Sequence, residues 1–264
     1  MPPVVFIMLD GLRPDALEQA RTPRLDAFRA AGAFTVTPRS VMPSITLPCH
    51  TSIFHSVPPT RHGITENQWH AMARPVVGLV DAAKAAGKRC AFFYNWELLR
   101  DLNRPESVYF SFFVNNGYDL EGDRVVADAA ARYIPEYNFD FSFVYLGGID
   151  VSGHNFGWMQ DGYMRQIEAT DALVGQVLDS LPAGTTVIIH ADHGGHGRDH
   201  GTEMPEDMTI PWMIGGAGVR RGHIIQQQVT LLDTAPTIAH LLGISLPTGW
   251  EGQAVAEALD EGSF

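Results

Sequence analysis

Residues 185–200 read TTVIIHADHGGHGRDH, an apolar run that opens into four histidines and two aspartates between His190 and His200. The run 185–189 has the β-branched character of a strand. Histidine and aspartate are ligand types that divalent zinc prefers. Interspersed glycines let the loop double back, so several of these side chains can face one point. The plain alternative is a histidine-rich surface loop. In an α/β protein, however, a ligand-bearing loop at the carboxyl end of a strand is where sites form.

The rest of the chain has the alternation that such a fold requires. Strand-like runs stand at 4–9, 33–37, 90–94, 108–114, 141–146, 185–190 and 210–214. Amphipathic stretches predict helices at 23–31, 47–54, 76–86, 124–134, 162–181 and 231–242. The helix from 162 is the clearest: Tyr163, Ile167, Thr170, Val174, Val177 and Leu181 recur at spacings of three and four. This pattern predicts a mostly parallel central sheet with helices on both faces. Asp10, Asp150 and Asp192 each fall at or just beyond a predicted strand end, which groups them. The 264 residues suit one catalytic domain spanning 1–264, and the polar stretch 58–77 suggests a small cap.

Composition narrows the function classes. The chain is 45% hydrophobic, enough for a buried core, and carries a formal net charge of −12. It has no Lys/Arg-rich block, so no nucleic-acid-binding surface is expected. An acidic chain that handles anionic substrates needs cations to reverse its local field. The two cysteines, Cys49 and Cys90, do not form a disulfide framework and fit a reducing compartment. The chain enters a strand at once, without leader-like features, and has no apolar run long enough to span a membrane. These readings predict a cytoplasmic protein.

Four further segments carry chemistry. LDGLRPD places Asp10 after the first strand, as a ligand or a turn cap, with Arg13 read as structural. MPSITLPCHTS places Thr46 at a helix start, where a hydroxyl is either a cap or a nucleophile favoured by the helix dipole. Cys49 and His50 are helix neighbours that point apart, and they read as supporting residues. HGITENQW offers Asn67, a turn residue or an amide donor to an oxyanion. In YLGGIDVSGHNFG, Asp150 and His154 are four apart, so a helical turn puts both on one face.

Together these segments resemble the alkaline phosphatase superfamily, and most closely its nucleotide pyrophosphatase/phosphodiesterase branch. The resemblance runs in order from Asp10 to the tail TLLDTAPTIAHLLGI. The opening DG-[FL]-R is Asp10–Arg13. The nucleophile motif P-[TS]-x-T-x-P-x-H is Pro43 to His50, with Thr46 as nucleophile. His62 and Asn67 match HGI and its following asparagine. YLGGIDVSGH matches Y-x-x-x-P-D-x-x-G-H, with Ile149 in the proline position. Asp192–Gly194 supplies DHG, and His200–Glu203 supplies HG-[ST]-[DE].

The resemblance implies two divalent ions, zinc or alternatively manganese. Asp150, His154 and His200 would hold one; Asp10, Asp192, His193 and the Thr46 oxygen would hold the other. His196 is an alternative to His200. His190, His50, His55, His223 and His240 read as structural. The implied activity is hydrolysis of a small anionic phosphoester, a phosphodiester or pyrophosphate, through a phosphothreonine intermediate, with Asn67 on a non-bridging oxygen. Tyr145 and Leu47 occupy positions where this branch contacts a base, although Leu47 stands where an aromatic is common. The sulfatase motif C/S-x-P-x-R is not met, since HTSIF follows Cys49. A monoesterase or phosphonate hydrolase of the same superfamily is the alternative, then a metal-binding pseudoenzyme. A diester preference follows from the lack of an arginine beside Thr46.

Overall fold

The computed structural model describes residues 1–260. Its centre is an eight-stranded sheet made of β1 (Val4–Leu9), β2 (Ala33–Thr35), β3 (Cys90–Tyr94), β4 (Phe110–Phe113), β5 (Phe141–Leu146), β6 (Thr186–His190), β7 (Trp212–Gly215) and β8 (His223–Ile224). The order across the sheet is β4-β3-β5-β1-β6-β7-β2-β8. The first five strands are parallel; β7 runs antiparallel to both its neighbours, and β2 pairs parallel with β8. The apolar runs VVFIML, CAFFY, FSFVYL and TVIIH are wholly buried. Parallel strands covered on both faces have this character.

The helices are α1 (Pro14–Gln19), α2 (Pro23–Ala31), α3 (Thr46–His55), α4 (Pro59–His62), α5 (Leu79–Ala85), α6 (Gly122–Tyr137), α7 (Gly148–Phe156), α8 (Asp161–Ser180), α9 (Pro205–Met208) and α10 (Thr234–Leu242). Helices α2, α6 and α7 pack on α8, while α3, α5 and α10 pack on one another, so two helical layers enclose the sheet. Every residue of α3 is buried. Its Phe54 meets Phe143 of β5 at 5.0 Å between ring centroids, and Phe143 also touches Phe92 at 5.1 Å and Phe6 at 5.3 Å. This aromatic cluster seats α3, and with it Thr46, firmly against three central strands.

Several boundaries differ from the sequence reading. β2 stops at Thr35, where the Thr37 N–H turns back to the Thr35 hydroxyl ahead of Pro38. Helix α5 starts at Leu79 rather than 76, with Gly78 before it. The predicted helix 231–242 is a 3₁₀ turn, Leu231–Asp233, closed by a capping box from Thr230 and followed by α10. α7 is a full helix where only one helical turn was expected. Its glycines lower helix propensity, yet a Cβ at Gly153 would lie 2.6 Å from the Trp158 ring. Short α1 and the two-residue β8 carry no periodic signal. The segment 58–77 is α4 followed by irregular backbone, and no described helix is long and apolar enough to cross a membrane.

Because Phe143 joins β5 to α3, Phe143→Ala is expected to lower unfolding free energy by about 3–5 kcal/mol, read by urea denaturation. A loss under about 1 kcal/mol would contradict a close-packed cluster at this point.

Candidate metal centre and nucleophile

Strands β5, β1 and β6 lie side by side and end at the same edge of the sheet, with Leu9 level with Leu146 and Met8 level with His190. Asp10 follows β1 directly, Asp192 and His193 follow β6, and Asp150 sits in the first turn of α7 just beyond β5. Ligand atoms of Asp10, Asp192 and His193 lie within 4.8 Å of one another, and so do those of Asp150, His154 and His200. The His193 and His200 rings stack at 3.8 Å, joining the two groups into one centre.

The histidines are oriented by their far nitrogens. His193 Nδ1 donates to the Gly194 carbonyl at 2.8 Å, His154 Nδ1 to Arg198 at 2.9 Å, and His200 Nδ1 to Ser44 at 2.8 Å. In all three, Nε2 is left as a lone-pair donor turned into the centre, an arrangement that suits metal ligation. These Nε2 atoms lie 3.3 Å from Asp10 Oδ1, 3.5 Å from Asp150 Oδ2 and 3.6 Å from Asp150 Oδ1, respectively. Burial, then the neighbouring His193, lowers the His200 pKa to about 3, so its ring is neutral at physiological pH.

The aspartates set the electrostatics of the centre. Asp10 Oδ1, Asp150 Oδ1 and Asp192 Oδ2 are buried without a hydrogen-bond partner. Burial, followed by the charges of Asp192 and Asp150, pushes the Asp10 carboxyl well above the ordinary range. Burial raises Asp150 as well, partly offset by His193 and His154. Burial works against ionised Asp192 too, but His193 and His50 hold its carboxyl well below the usual range. Unpartnered buried carboxylate oxygens beside inward-turned imidazole Nε2 atoms fit divalent cations.

Thr46 is the first residue of α3, and its hydroxyl lies 3.2 Å from His193 Nε2. The Asn67 Oδ1 accepts the Leu47 N–H at 2.9 Å, which leaves the Asn67 amide N–H groups for the cavity beside Thr46. Leu47 itself differs from expectation: its side chain is fully buried and does not line the cavity, because the next position along α3 turns into the core. Tyr145 does border the cavity, but only 5% of it is exposed, and its hydroxyl donates to Asp10 Oδ2 at 2.5 Å. An interior strand position commits it to supporting Asp10 and leaves little of its ring open for stacking.

Other residues hold the loops. His196 joins neither ligand group: its Nδ1 donates to buried Asp207 at 2.7 Å, and Asp207 also receives the Thr202 N–H and hydroxyl. Arg13 donates to the Gly195 carbonyl and pairs with Asp15. Gly11 has φ +74°, and a Cβ there would sit 2.9 Å from the Asp150 Cα, so the DG pair lets β1 and α7 approach closely. His190, His50 and His55 bond within the core, and His223 pairs with Glu257.

The centre opens into a cavity of about 340 Å³. Beyond the ligands, Thr46, Asn67 and Tyr145, its walls are Trp96, Gly117, Tyr118, Val151 and Asn155. Sequence reasoning did not find these. Trp96 and Tyr118 lie in irregular segments after β3 and β4, and only the folded chain brings them over the centre. None of the described lining residues is Lys or Arg.

A profile of the type I phosphodiesterase/nucleotide pyrophosphatase family matches residues 4–206. The chain belongs to that family. It is 24% identical over 219 residues to human ectonucleotide pyrophosphatase/phosphodiesterase family member 1, covering 73% of this chain and 23% of that protein. It thus spans about a quarter of the length of such relatives. Murine ectonucleotide pyrophosphatase/phosphodiesterase 5, solved as an inactive form with AMP, superposes with a TM-score of 0.82 at 13% identity, covering 98% of this chain and 100% of that one. A phosphonate monoester hydrolase from Silicibacter pomeroyi superposes at 0.75 with 15% identity, covering 99% and 78% of the two chains. The alkaline phosphatase-like fold expected from the sequence is therefore present.

The two histidines of the ligand loop make a direct test. His200→Ala is expected to lower divalent-metal uptake at least about tenfold. His196→Ala keeps the uptake and loses only loop stability. Metal titration of both variants checks this, and the reverse order would exchange their roles.

Proposed function

We propose that this chain is a metal-dependent hydrolase of phosphodiester or pyrophosphate bonds with Thr46 as its nucleophile. One observation carries the reading: the Thr46 hydroxyl stands at the start of α3, 3.2 Å from His193 Nε2, beside two ligand groups whose buried carboxylate oxygens lack partners. Asp150, His154 and His200 would hold one ion; Asp10, Asp192 and His193, with the Thr46 oxygen, the other. The histidine content favours zinc, and manganese suits the carboxylates. Two such ions would polarise the phosphoryl oxygens and favour ionisation of hydroxyls beside them.

The protein groups then divide the work. Thr46 Oγ1 attacks phosphorus in line with the leaving oxygen; the Thr46 O–P bond forms as the ester or anhydride bond breaks, and the proton that Thr46 gives up is matched by the one the departing oxygen takes. The α3 dipole favours the negative charge on both partners. The Asn67 amide, turned by its bond to Leu47, donates to a non-bridging oxygen. Water then attacks the phosphothreonine, and the Thr46 hydroxyl is regenerated.

Charge and shape favour a diester. Two dications set against Asp10, Asp150 and Asp192 leave one positive charge. That matches a monoanion better than the dianion of a monoester, and no Lys or Arg among the described lining residues adds to it. The second substituent has the Trp96 and Tyr118 side chains beside it, with Tyr118 80% exposed at the rim.

Thr46→Ala is expected to abolish turnover while metal content and fold persist, since the cap position of α3 is Ile45 and the Thr46 hydroxyl makes no capping bond to lose. Turnover within a few-fold of the parent would remove Thr46 from the mechanism. Matched aryl mono- and diesters, with an aryl phosphonate alongside, test the substrate class. A diester advantage in kcat/KM of about tenfold, or 1.4 kcal/mol, is expected. An equal advantage for the monoester would move the protein to the phosphatases.

A further inference from the structure

Asp123, in the first turn of α6, is fully buried and faces no cation among its described hydrogen-bond partners. Its Oδ1 accepts the Gly147 N–H at 2.9 Å and the Asn95 amide at 3.3 Å, and its Oδ2 accepts the Gly148 N–H at 2.8 Å. Gly147 and Gly148 are the cap and first residue of α7, whose own cap supplies no side-chain bond. A carboxylate from a distant helix therefore satisfies two of the orphan amides at the start of the helix that carries Asp150 and His154.

The fit is close on every side. A Cβ on Gly148 would come within 2.8 Å of Asp123 Oδ2, and one on Gly122 within 3.0 Å of the Asn95 amide nitrogen. Asn95 precedes the wall residue Trp96, and a Cβ on Gly117 would meet its carbonyl at 2.8 Å. The end of β3, the loop before α6 and the start of α7 thus meet around this one carboxylate. Burial raises the Asp123 pKa to about 6, held down by the Gly148, Gly147 and Asn95 donors, so it is ionised at neutral pH.

We infer that Asp123 is a positioning residue: its carboxylate fixes the first turn of α7 and so aims Asp150 and His154 at their metal. The inference rests on reading Asp150, His154 and His200 as a metal site. Groups that orient metal ligands from behind contribute about 10–100-fold to metal affinity when removed. Asp123 acts on one ligand group only, since none of its hydrogen bonds reaches the segments bearing Asp10, Asp192 or His193.

The test uses Asp123→Asn in the full chain, which keeps the shape but sets an amide N–H₂ against a backbone N–H. Hydrogen exchange on the metal-free protein is expected to speed up at least about tenfold in 147–156 and to stay unchanged in α3. Zinc titration is expected to show one ion weakened at least about tenfold and the other bound as in the parent. Asn95→Ala removes a donor to the same carboxylate without touching α7, and is expected to lower stability while keeping both affinities. Gly148→Ala, whose Cβ would press on Asp123 Oδ2 at 2.8 Å and on the Gln166 amide at 2.7 Å, should reproduce the selective loss and serves if Asp123→Asn does not fold. Equal weakening of both ions, or unchanged exchange in a folded variant, would overturn the inference. A parent protein that takes up no zinc or manganese would instead overturn the metal reading, while the exchange experiment still decides whether Asp123 holds α7.

Discussion

A carboxylate stays ionised inside a protein only where positive charge or donors compensate for lost water. Asp10, Asp150 and Asp192 meet at the ends of three adjacent strands, each with one buried oxygen that has no partner. Their mutual repulsion and burial make the site unfavourable by itself. The chain accepts this cost because the surrounding sheet is deeply apolar and rigid enough to hold them together. A centre built this way favours cations, and the imidazole nitrogens of His154, His193 and His200 would supply the remaining ligand positions.

The supporting layer converts that demand into geometry. Three histidines are turned by backbone carbonyls, Tyr145 donates to Asp10, and the Gly11 N–H reaches Asp192 Oδ1 at 3.3 Å. The loop bearing His193 and His200 is tied down by Arg13 and by the His196–Asp207 pair. Opposite it, α3 is seated by the Phe143 cluster, so that Thr46 faces a centre whose parts come from three separate stretches of chain. The same fold serves sulfatases and a phosphonate monoester hydrolase as well as nucleotide pyrophosphatases. The fold alone therefore does not decide the chemistry.

Local pattern made much of this legible. The runs at β1, β3, β5 and β6 are continuous and apolar because both faces of a parallel sheet are covered, and the 3.6-residue period of α8 is unbroken. The ligand types stand in dense clusters next to strand ends, so Asp10, Asp150, His154, Asp192, His193 and His200 could be named from spacing and motif resemblance. α7 was only partly visible, since glycines required by Trp158 and by Asp123 weaken its helical signal.

The sequence by itself determined the alternation of strands and helices, the ligand types and the hydroxyl at a helix start, because these are properties of neighbouring residues. Only the tertiary structure decided which histidine of the 190–200 loop turns inward, because that choice depends on Asp207 and Ser44, residues outside the loop. It likewise decided that Leu47 is core, that Tyr145 supports Asp10, and that Trp96 and Tyr118 form the wall. Each of those outcomes comes from contacts across long stretches of chain, which no local pattern encodes.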